Sequence, residues 1–341
     1  MNFILKNLSK YNELKMSKMF ILSDEKTQKR KMRFTAVSSE LSNNIWFITP
    51  KGKAIFKSYT SEKFNKFNNI TPIRMINELL CCQLCKQVGI PCAEYESAEY
   101  KNVAGIITYN IAKENEELIT GHEFLNMFFD INHSIEDYLI EANFTIKRND
   151  YIINTEKFLE DLFKIAVFDI LTMQTDRHNA NLLFTMNNKT REIKVAPLTD
   201  NEFAFCGKIL PSLFKKEKFT ASEMIEQYYQ NASILEVTKN KRKQTKTYKK
   251  IIKELVQLTE KHEHLKPILL NIIKNLNITR AFEYLEKECG VVVSEQYKKF
   301  VKKTTSLSKK HFLYELELLE QKQNTQEKPI KEQKENDEIT H

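Results

Sequence analysis

The chain has 341 residues, of which 41% are hydrophobic and 29% are charged, and its formal net charge is +8. This length allows one large or two smaller domains, and six cysteines in so long a chain do not form a disulfide framework. No run of 18 apolar residues and no signal-peptide core is present, so we expect a cytoplasmic protein without a membrane span, with signal-less export still open.

The first predicted elements follow a mixed and basic stretch. Residues 1–32 are interpreted as an N-terminal accessory segment, which could include a loosely attached helix. Two apolar runs, 45–48 and 54–56, then flank the turn-like sequence Pro50-Lys51-Gly52-Lys53. This pattern predicts a β-hairpin whose second strand ends at Lys57.

A helix follows the hairpin. It is predicted to begin at Pro72, since proline suits a first helical turn, and to end at Gly89. Its apolar residues recur every four positions and form one stripe: Ile76, Leu80, Leu84 and Val88. Cys82-x-x-Cys85 within this helix invites a zinc or redox interpretation, but no second ligand pair follows, so small buried thiols are favoured.

The remaining strands of the first half complete a β-rich lobe. Two apolar runs, 92–97 and 103–109, predict strands, and with the hairpin and the helix they form an N-terminal lobe over residues 33–111. From about residue 119 the periodicity is helical, so residues 112–320 are predicted to form a larger, mostly helical C-terminal lobe.

Helical periodicity continues through the second half of the chain. The predicted helices cover 158–172, 221–232, 247–260, 265–288 and 292–322. The tail 321–341 is rich in Glu, Lys and Gln with almost no apolar residues, and it is predicted to be disordered. The expected fold class is therefore α+β with two lobes.

The most informative motif is a pair of polar residues five positions apart, Asp176 and Asn181. A kinase catalytic loop has this spacing between the Asp that orients the acceptor hydroxyl and the Asn that binds metal. Two apolar stretches, 182–184 and 193–195, predict a hairpin that returns Asp200 beside Asp176. Carboxylate and amide oxygens suit Mg²⁺, whereas the spacing alone is also typical of a surface loop with Asx turns.

The loop Asp176-Arg177-His178-x-x-Asn181 resembles the catalytic loop of the HipA/CtkA group of bacterial Ser/Thr kinases and of phosphatidylinositol 3- and 4-kinases. The order of a strand ending in Lys57, a helix with Glu78 and the motif 196–201 is more similar to the HipA/CtkA group, over roughly residues 40–235. The resemblance implies a two-lobed protein-kinase-like fold, ATP and Mg²⁺, and a Ser/Thr acceptor on a protein, including the chain itself.

The same resemblance implies roles for individual residues. Asp176, His178 and Asn181 form the catalytic set, in which His178 packs and hydrogen-bonds to hold the loop, and Asn181 and Asp200 are the expected metal ligands. For Arg177, a partner carboxylate and a phosphate both remain open.

Lys57 and Glu78 are expected to form a pair at the nucleotide phosphates. A buried cation at the end of an apolar strand needs a partner, and Glu78 on the following helix is the natural one. Together they would hold the α- and β-phosphates, as the strand lysine and helix glutamate do in protein kinases. A solvent-facing lysine and a surface carboxylate are the alternatives.

Two further segments are assigned to the nucleotide. No Gly-x-Gly-x-x-Gly precedes Lys57, so the Ser-rich stretch 36–44, with Ser38 and Ser39, is the candidate phosphate-covering loop, a plain connector being the alternative. In HipA-like kinases a serine of this loop can be autophosphorylated. The backbone of Thr108, Tyr109 and Asn110, at the expected hinge between the lobes, is predicted to bind the adenine edge.

Partners other than protein are less well supported. The basic run 239–250 could contact acidic partners or nucleic acid, or be a solvated linker, and no zinc-finger spacing or aromatic-interleaved basic stretch accompanies it. Nucleic acid is therefore not expected as the main partner. A phosphoinositide or small-molecule kinase, and an inactive nucleotide-binding toxin–antitoxin component, are the alternative functions.

Overall fold

The computed structural model describes residues 20–22, 45–49, 52–59, 72–100, 103–121, 123–124, 151–174, 176–178, 180–205 and 248–338. These residues form an α+β fold with two lobes, which confirms the predicted fold class. Three predictions lie outside the described residues: the loop 36–44 with Ser38 and Ser39, the helix 221–232, and most of the basic run 239–250.

The N-terminal lobe is built on a five-stranded sheet in the order β1-β4-β5-β3-β2. Its strands are β1 (Phe20–Leu22), β2 (Ile45–Thr49), β3 (Gly52–Ser58), β4 (Tyr95–Tyr100) and β5 (Val103–Tyr109). The predicted hairpin is confirmed, since Ile45 lies opposite Phe56 in antiparallel register. Strand β1 pairs in parallel with β4, so part of the predicted accessory segment belongs to the sheet. A strand of three residues is too short to show a period in the sequence.

One helix, α1 (Ile73–Val88), packs against β4 of this sheet. Pro72 precedes its first turn, and Gly89 ends it at φ 71°, a left-handed conformation that glycine adopts without steric cost. The apolar stripe predicted for this helix is buried. Cys82 and Cys85 are buried free thiols, and no cysteine belongs to a group of potential metal ligands in the described part of the chain.

The C-terminal lobe begins with a second, three-stranded sheet, in the order β6-β7-β8. Its strands are β6 (Glu116–Thr120), β7 (Leu183–Asn187) and β8 (Ile193–Val195). The predicted β7–β8 hairpin is confirmed, with Phe184 opposite Val195. Strand β6 corrects the expectation of helical structure from residue 119. In this strand only Ile119 is buried, so the alternation that marks a strand is weak.

Five helices fill the rest of the described C-terminal lobe. They are α2 (Thr155–Leu171), α3 (Tyr248–Lys261), α4 (Leu265–Asn275), α5 (Ile278–Glu288) and α6 (Glu295–Glu338). The sequence predicted one helix over 265–288. The structure has two, because Leu276 leaves the helical conformation and the Asn277 side chain caps α5 by accepting from Arg280 N at 3.0 Å.

Helix α6 continues to Glu338, through the stretch from residue 321 that the sequence predicted to be disordered. Lys, Glu and Gln are good helix formers, so a composition too polar to build a core still allows a helix. No helix in the described part of the chain is long and apolar enough to cross a membrane.

The main core joins α1 to the helices of the C-terminal lobe. Phe124, Phe158 and Phe184 stack within it, with ring centroids 4.4 to 5.9 Å apart. Helix α1 packs against α4 and α5, and α6 packs against α2, α3 and α5. The helix of the N-terminal lobe therefore packs against C-terminal helices as well as against its own sheet.

Strand β5 lies so close to β3 at Gly105 that there is no room for a side chain at this position. A Cβ at this position would lie 2.7 Å from Phe56 Cζ and even closer to the backbone oxygen of Lys57. We expect Gly105→Ala to lower the free energy of unfolding by about 1–3 kcal/mol, measured by urea denaturation, because neither strand can yield without loss of pairing.

Gly89→Ala is the control for this substitution. Its added methyl group meets no atom within 4 Å, so only the left-handed backbone is penalised, by roughly 1 kcal/mol. A Gly105→Ala protein as stable as the wild type would contradict the close approach of β3 and β5.

Candidate active site

One cation joins carboxylates from the two lobes. Lys57 Nζ, on β3, lies 3.4 Å from Glu78 Oε1, on α1, and 3.4 Å from Asp200 Oδ1, which follows β8. The Glu78 side chain is wholly buried, 18% of the Lys57 side chain is exposed, and 33% of the Asp200 side chain is exposed. The structure therefore brings together three of the residues singled out in the sequence, and neither Lys57 nor Glu78 is a surface residue.

Lys57, Glu78 and Asp200 shift one another's pKa values. Burial would lower the pKa of Lys57, but the Asp200 and Glu78 carboxylates raise it above its ordinary value. Burial also raises the pKa of Glu78, although Lys57 opposes this. For Asp200, burial would raise the pKa, but Lys57 and then Arg177 hold it below the ordinary value. At neutral pH, Lys57 is thus charged and Asp200 is ionised.

The backbone of Asp200 is in an unusual conformation. Its φ of 56° lies in the left-handed region, which non-glycine residues occupy only when their surroundings hold them there. Asp200 N donates to Tyr95 Oη at 3.2 Å, and Gln174 Nε2 donates to Asp200 O at 3.3 Å. The next amide, Asn201 N, donates to Glu78 Oε2 at 2.8 Å. These three bonds hold the Asp200 backbone on both sides.

The catalytic-loop candidates lie directly beside this segment. Gln174 also accepts from Asp176 N, at 3.1 Å, so one side chain connects the backbones of Asp176 and Asp200. Asn181 Nδ2 donates to Asp176 O at 2.8 Å and faces Asp176 Oδ2 at 3.4 Å. The side chains of Asp176 and Asn181 are therefore neighbours.

His178 closes the loop on itself. Its Nδ1 accepts from Ala180 N at 3.2 Å, which leaves the ring proton of the neutral imidazole on Nε2, 3.9 Å from Asp176 Oδ2. Its carbonyl accepts from the backbone N–H groups of Asn181 and Leu182. All of these contacts are with residues of the loop itself, and a loop-holding role for His178 stays a prediction.

Arg177 is fully buried and ties the loop to the rest of the lobe. Its guanidinium makes a bidentate pair with Asp169 on α2, with N–O distances of 2.9 and 3.2 Å. It also donates to the carbonyls of Thr199 and Asn181, at 2.7 and 3.2 Å, and to Asn201 Oδ1 at 2.6 Å. Among the described residues, Arg177 is paired with the Asp169 carboxylate, which is one of the two partners that the sequence left open.

A group of three carboxylates surrounds the cation site. Glu78, Asp200 and Glu202 each place an oxygen within 4.8 Å of the others. Lys57 is paired with the first two, and Arg74 forms an ion pair with Glu202. Each of the three acids is therefore already paired with one of two cations. The donor types at the predicted metal pair, Asn181 and Asp200, are the hard oxygens that Mg²⁺ prefers.

The predicted hinge lies at the end of β5. Residues 110–115 connect this strand to β6, so they join the two sheets. The register pairs Lys57 with Ile106 and Ile55 with Thr108, which places the Thr108 side chain on the same face of the sheet as Lys57. Tyr109 lies on the other face, against the small apolar cluster of Phe56 and Ile107, and Asn110 is exposed.

Thr108, on this face, and Asn201, the residue after Asp200, each have a buried polar side-chain atom without a hydrogen-bond partner among the described residues. The atoms are Thr108 Oγ1 and Asn201 Nδ2. A buried polar group without a partner is costly, so each such group calls for an explanation.

Sequence reasoning missed several residues that position the site. They are Arg74, Asn77, Tyr95, Asp169 and Gln174. Asp169 alone gave a signal, as the one carboxylate in the apolar second half of α2, residues 165–171. The others act through contacts with residues distant in sequence, for which no local pattern exists.

No protein-family model matches the sequence, and no curated protein is significantly similar to it. The architecture of two lobes with the site between them is that of a kinase-like fold. The crystal structure of the Helicobacter pylori proinflammatory kinase CtkA matches with a TM-score of 0.64 and 15% sequence identity, over 88% of this chain and 99% of that chain. The chain therefore has the fold of CtkA, which the motifs had implied.

A second match is to a HipA structure from Shewanella oneidensis MR-1, solved with HipB and operator DNA. The TM-score is 0.39 and the identity 13%, over 92% of this chain and 70% of that chain. A similarity this weak carries no argument here.

Proposed function

We propose that this chain is a kinase that uses ATP and Mg²⁺ to phosphorylate Ser or Thr hydroxyls of proteins, its own among them. The observation that supports this most directly is the position of Lys57, between a carboxylate of each lobe and next to the Asp176–Asn181 loop. This arrangement occurs within the fold of a known kinase.

Each residue of the site has a role suited to its surroundings. Lys57, buried and charged, would neutralise the nucleotide phosphates, while Glu78 holds it in place. Asp176 would orient the acceptor hydroxyl and accept its proton, since its carboxylate is partly exposed and fixed by Asn181. Asp200 and the Asn181 oxygen would hold Mg²⁺, which supplies positive charge at the transferring phosphoryl group when bound.

Two buried polar groups beside the site would suit a nucleotide. Thr108 and Asn201 each offer a buried polar atom that lacks a partner in the described structure. We propose that backbone groups of Thr108, Tyr109 and Asn110 bind the adenine edge, and that Ser38 and Ser39 belong to the loop that covers the phosphates.

The direct test is incubation of the purified chain with labelled ATP and Mg²⁺, in one arm with a generic protein acceptor and in another with phosphoinositide vesicles. We expect labelled protein, unlabelled lipid, and no label when a chelator removes the metal. Label in the lipid alone would replace the proposal with a lipid kinase. ATP binding without transfer under any divalent metal would indicate a nucleotide-binding protein without activity.

Lys57→Met tests the cation at the phosphates. The substitution leaves Glu78 and Asp200 close together without their shared cation, so Glu78 is expected to take up a proton and the nucleotide to lose a charged donor. We expect the Kd for ATP, measured by calorimetry, to rise about tenfold or more, since a hydrogen bond to a charged group is worth about 1.5–3 kcal/mol.

The matched control is Lys86→Met. Lys86 lies in the last turn of α1 and is exposed, so its loss should leave the affinity for ATP unchanged. An equal effect of the two substitutions would show that charge in general, and not Lys57, determines nucleotide binding.

A further inference from the structure

Helix α6 reaches the candidate site through one buried side chain. Tyr297, in the first turn of α6, donates its hydroxyl proton to Asn77 Oδ1 on α1. Its ring is 2% exposed and packs against Phe282 and Phe300, with centroids 6.4 Å away in each case. The hydroxyl is therefore held at a fixed point between the two helices.

Asn77 in turn hydrogen-bonds to the backbone that follows Asp200. It is wholly buried, and its Nδ2 donates to Glu202 O at 3.0 Å and to Ala204 O at 2.7 Å. Because both amide hydrogens point at carbonyls, the orientation of the amide is determined and its oxygen faces Tyr297. Removal of the tyrosine hydroxyl would leave that oxygen buried without this donor.

Glu78, the next residue on α1, binds the same backbone segment. Glu78 binds Asn201 N and Lys57, while Asn77 binds the carbonyls two and four residues after Asp200. Helix α1 thus fixes the segment 201–204 at three points. This is the segment that must hold Asp200 in its left-handed conformation.

Two other contacts join the N-terminal lobe to the C-terminal helices, and neither reaches this segment. Gln87 exchanges two hydrogen bonds with the backbone of Asn277, at 2.6 and 3.1 Å, and Ser97 Oγ donates to Cys289 O at 3.0 Å. Among these three contacts, only that of Tyr297 leads to the backbone that positions Asp200.

We infer that Tyr297 is a positioning residue for phosphoryl transfer. Its hydroxyl fixes the orientation of the Asn77 amide, and this amide fixes the position of the backbone after Asp200. Helix α6 thereby determines where the Asp200 carboxylate lies. The inference rests on the proposed function. Tyr297 itself is expected to contact neither substrate.

The test is Tyr297→Phe, which removes one oxygen and keeps the ring. We expect kcat to fall about tenfold or more, since a small misplacement of a catalytic group has effects of this size, with little change in the KM for ATP. Hydrogen exchange of the Asn201 and Phe205 amides should become faster, because their hydrogen bonds to Glu78 and to Thr172 O depend on the position of this segment.

Two controls separate positioning from general stability. Tyr314→Phe removes an exposed hydroxyl from the same helix and should change neither kcat nor exchange. Leu316→Ala creates a cavity at a buried side chain of α6 and lowers the unfolding temperature, yet at a temperature where it stays folded it should keep its kcat. The double variant Asn77→Ala/Tyr297→Phe should be no slower than Asn77→Ala, since both residues act through one path.

The outcomes are distinguishable. An active wild type with unchanged kcat and unchanged exchange in Tyr297→Phe overturns the positioning role and leaves the proposed function intact. Additive losses in the double variant overturn the path through Asn77. A wild type that transfers no phosphoryl group to any acceptor overturns the proposed function, and this role with it.

Discussion

Asp176→Asn and Asp200→Ala are each expected to lower the rate of phosphoryl transfer by roughly 1,000-fold or more, with the fold retained. Asp176→Asn keeps the size of the side chain but removes the carboxylate that accepts the hydroxyl proton. Asp200→Ala removes a hard oxygen ligand and one of the two carboxylates at Lys57. The measurement is the initial rate of label transfer at saturating ATP, alongside the circular dichroism spectrum of each variant.

The matched control for these variants is Asp161→Asn. Asp161 lies on α2, eight residues before Asp169, and pairs with Lys157 and Lys164. Its replacement should leave the rate within a factor of about two, because neither lysine is one of the site residues. If Asp176→Asn and Asp161→Asn are equally active, the assignment of Asp176 is wrong.

The largest expected effect on stability comes from Asp169→Ala. This change leaves the guanidinium of Arg177 buried without its carboxylate, and breaking a buried pair in this way costs about 3–5 kcal/mol. The loss is large because the Arg177 side chain is fully buried, so water cannot replace Asp169. Urea denaturation should show a lower midpoint with an unchanged slope.

Asp161→Ala is the control on the same helix, eight residues earlier. It breaks partly exposed ion pairs with Lys157 and Lys164 within one helix and should cost less than about 1 kcal/mol, since such helix pairs contribute about 0.2–0.5 kcal/mol each. A loss below about 1 kcal/mol for Asp169→Ala as well would contradict the view that the Asp169–Arg177 pair organises the loop.

The predictable parts of the fold were those with local signals. The limits of α1 follow from Pro72 and Gly89, whose effects on helix ends are direct consequences of their backbone chemistry. The two hairpins, β2–β3 and β7–β8, follow from apolar runs around short turns. Strand β1 could not be found in this way, since it pairs with β4 some 78 residues later in parallel register, as Phe20 does with Ala98.

The site was predictable where residue type and spacing carry the chemistry. Asp176 and Asn181 lie in one loop, and Lys57 and Glu78 meet because a buried cation requires a partner. The contacts that position these groups were not predictable. Tyr297 and Asn77 are 220 residues apart, and a tyrosine in an amphipathic helix is ordinary until the partner helix is placed against it.

The central claim is that the described site transfers phosphate from ATP, and intact-mass spectrometry tests it most directly. Wild type and Asp200→Ala would be incubated with ATP and Mg²⁺ and then digested to locate the modified residues. We predict that the wild type gains phosphoryl groups on Ser or Thr, within residues 38–42 among other sites, and that Asp200→Ala gains none. A wild type that gains no phosphate and labels no acceptor, or an Asp200→Ala protein phosphorylated to the same extent, would contradict the account.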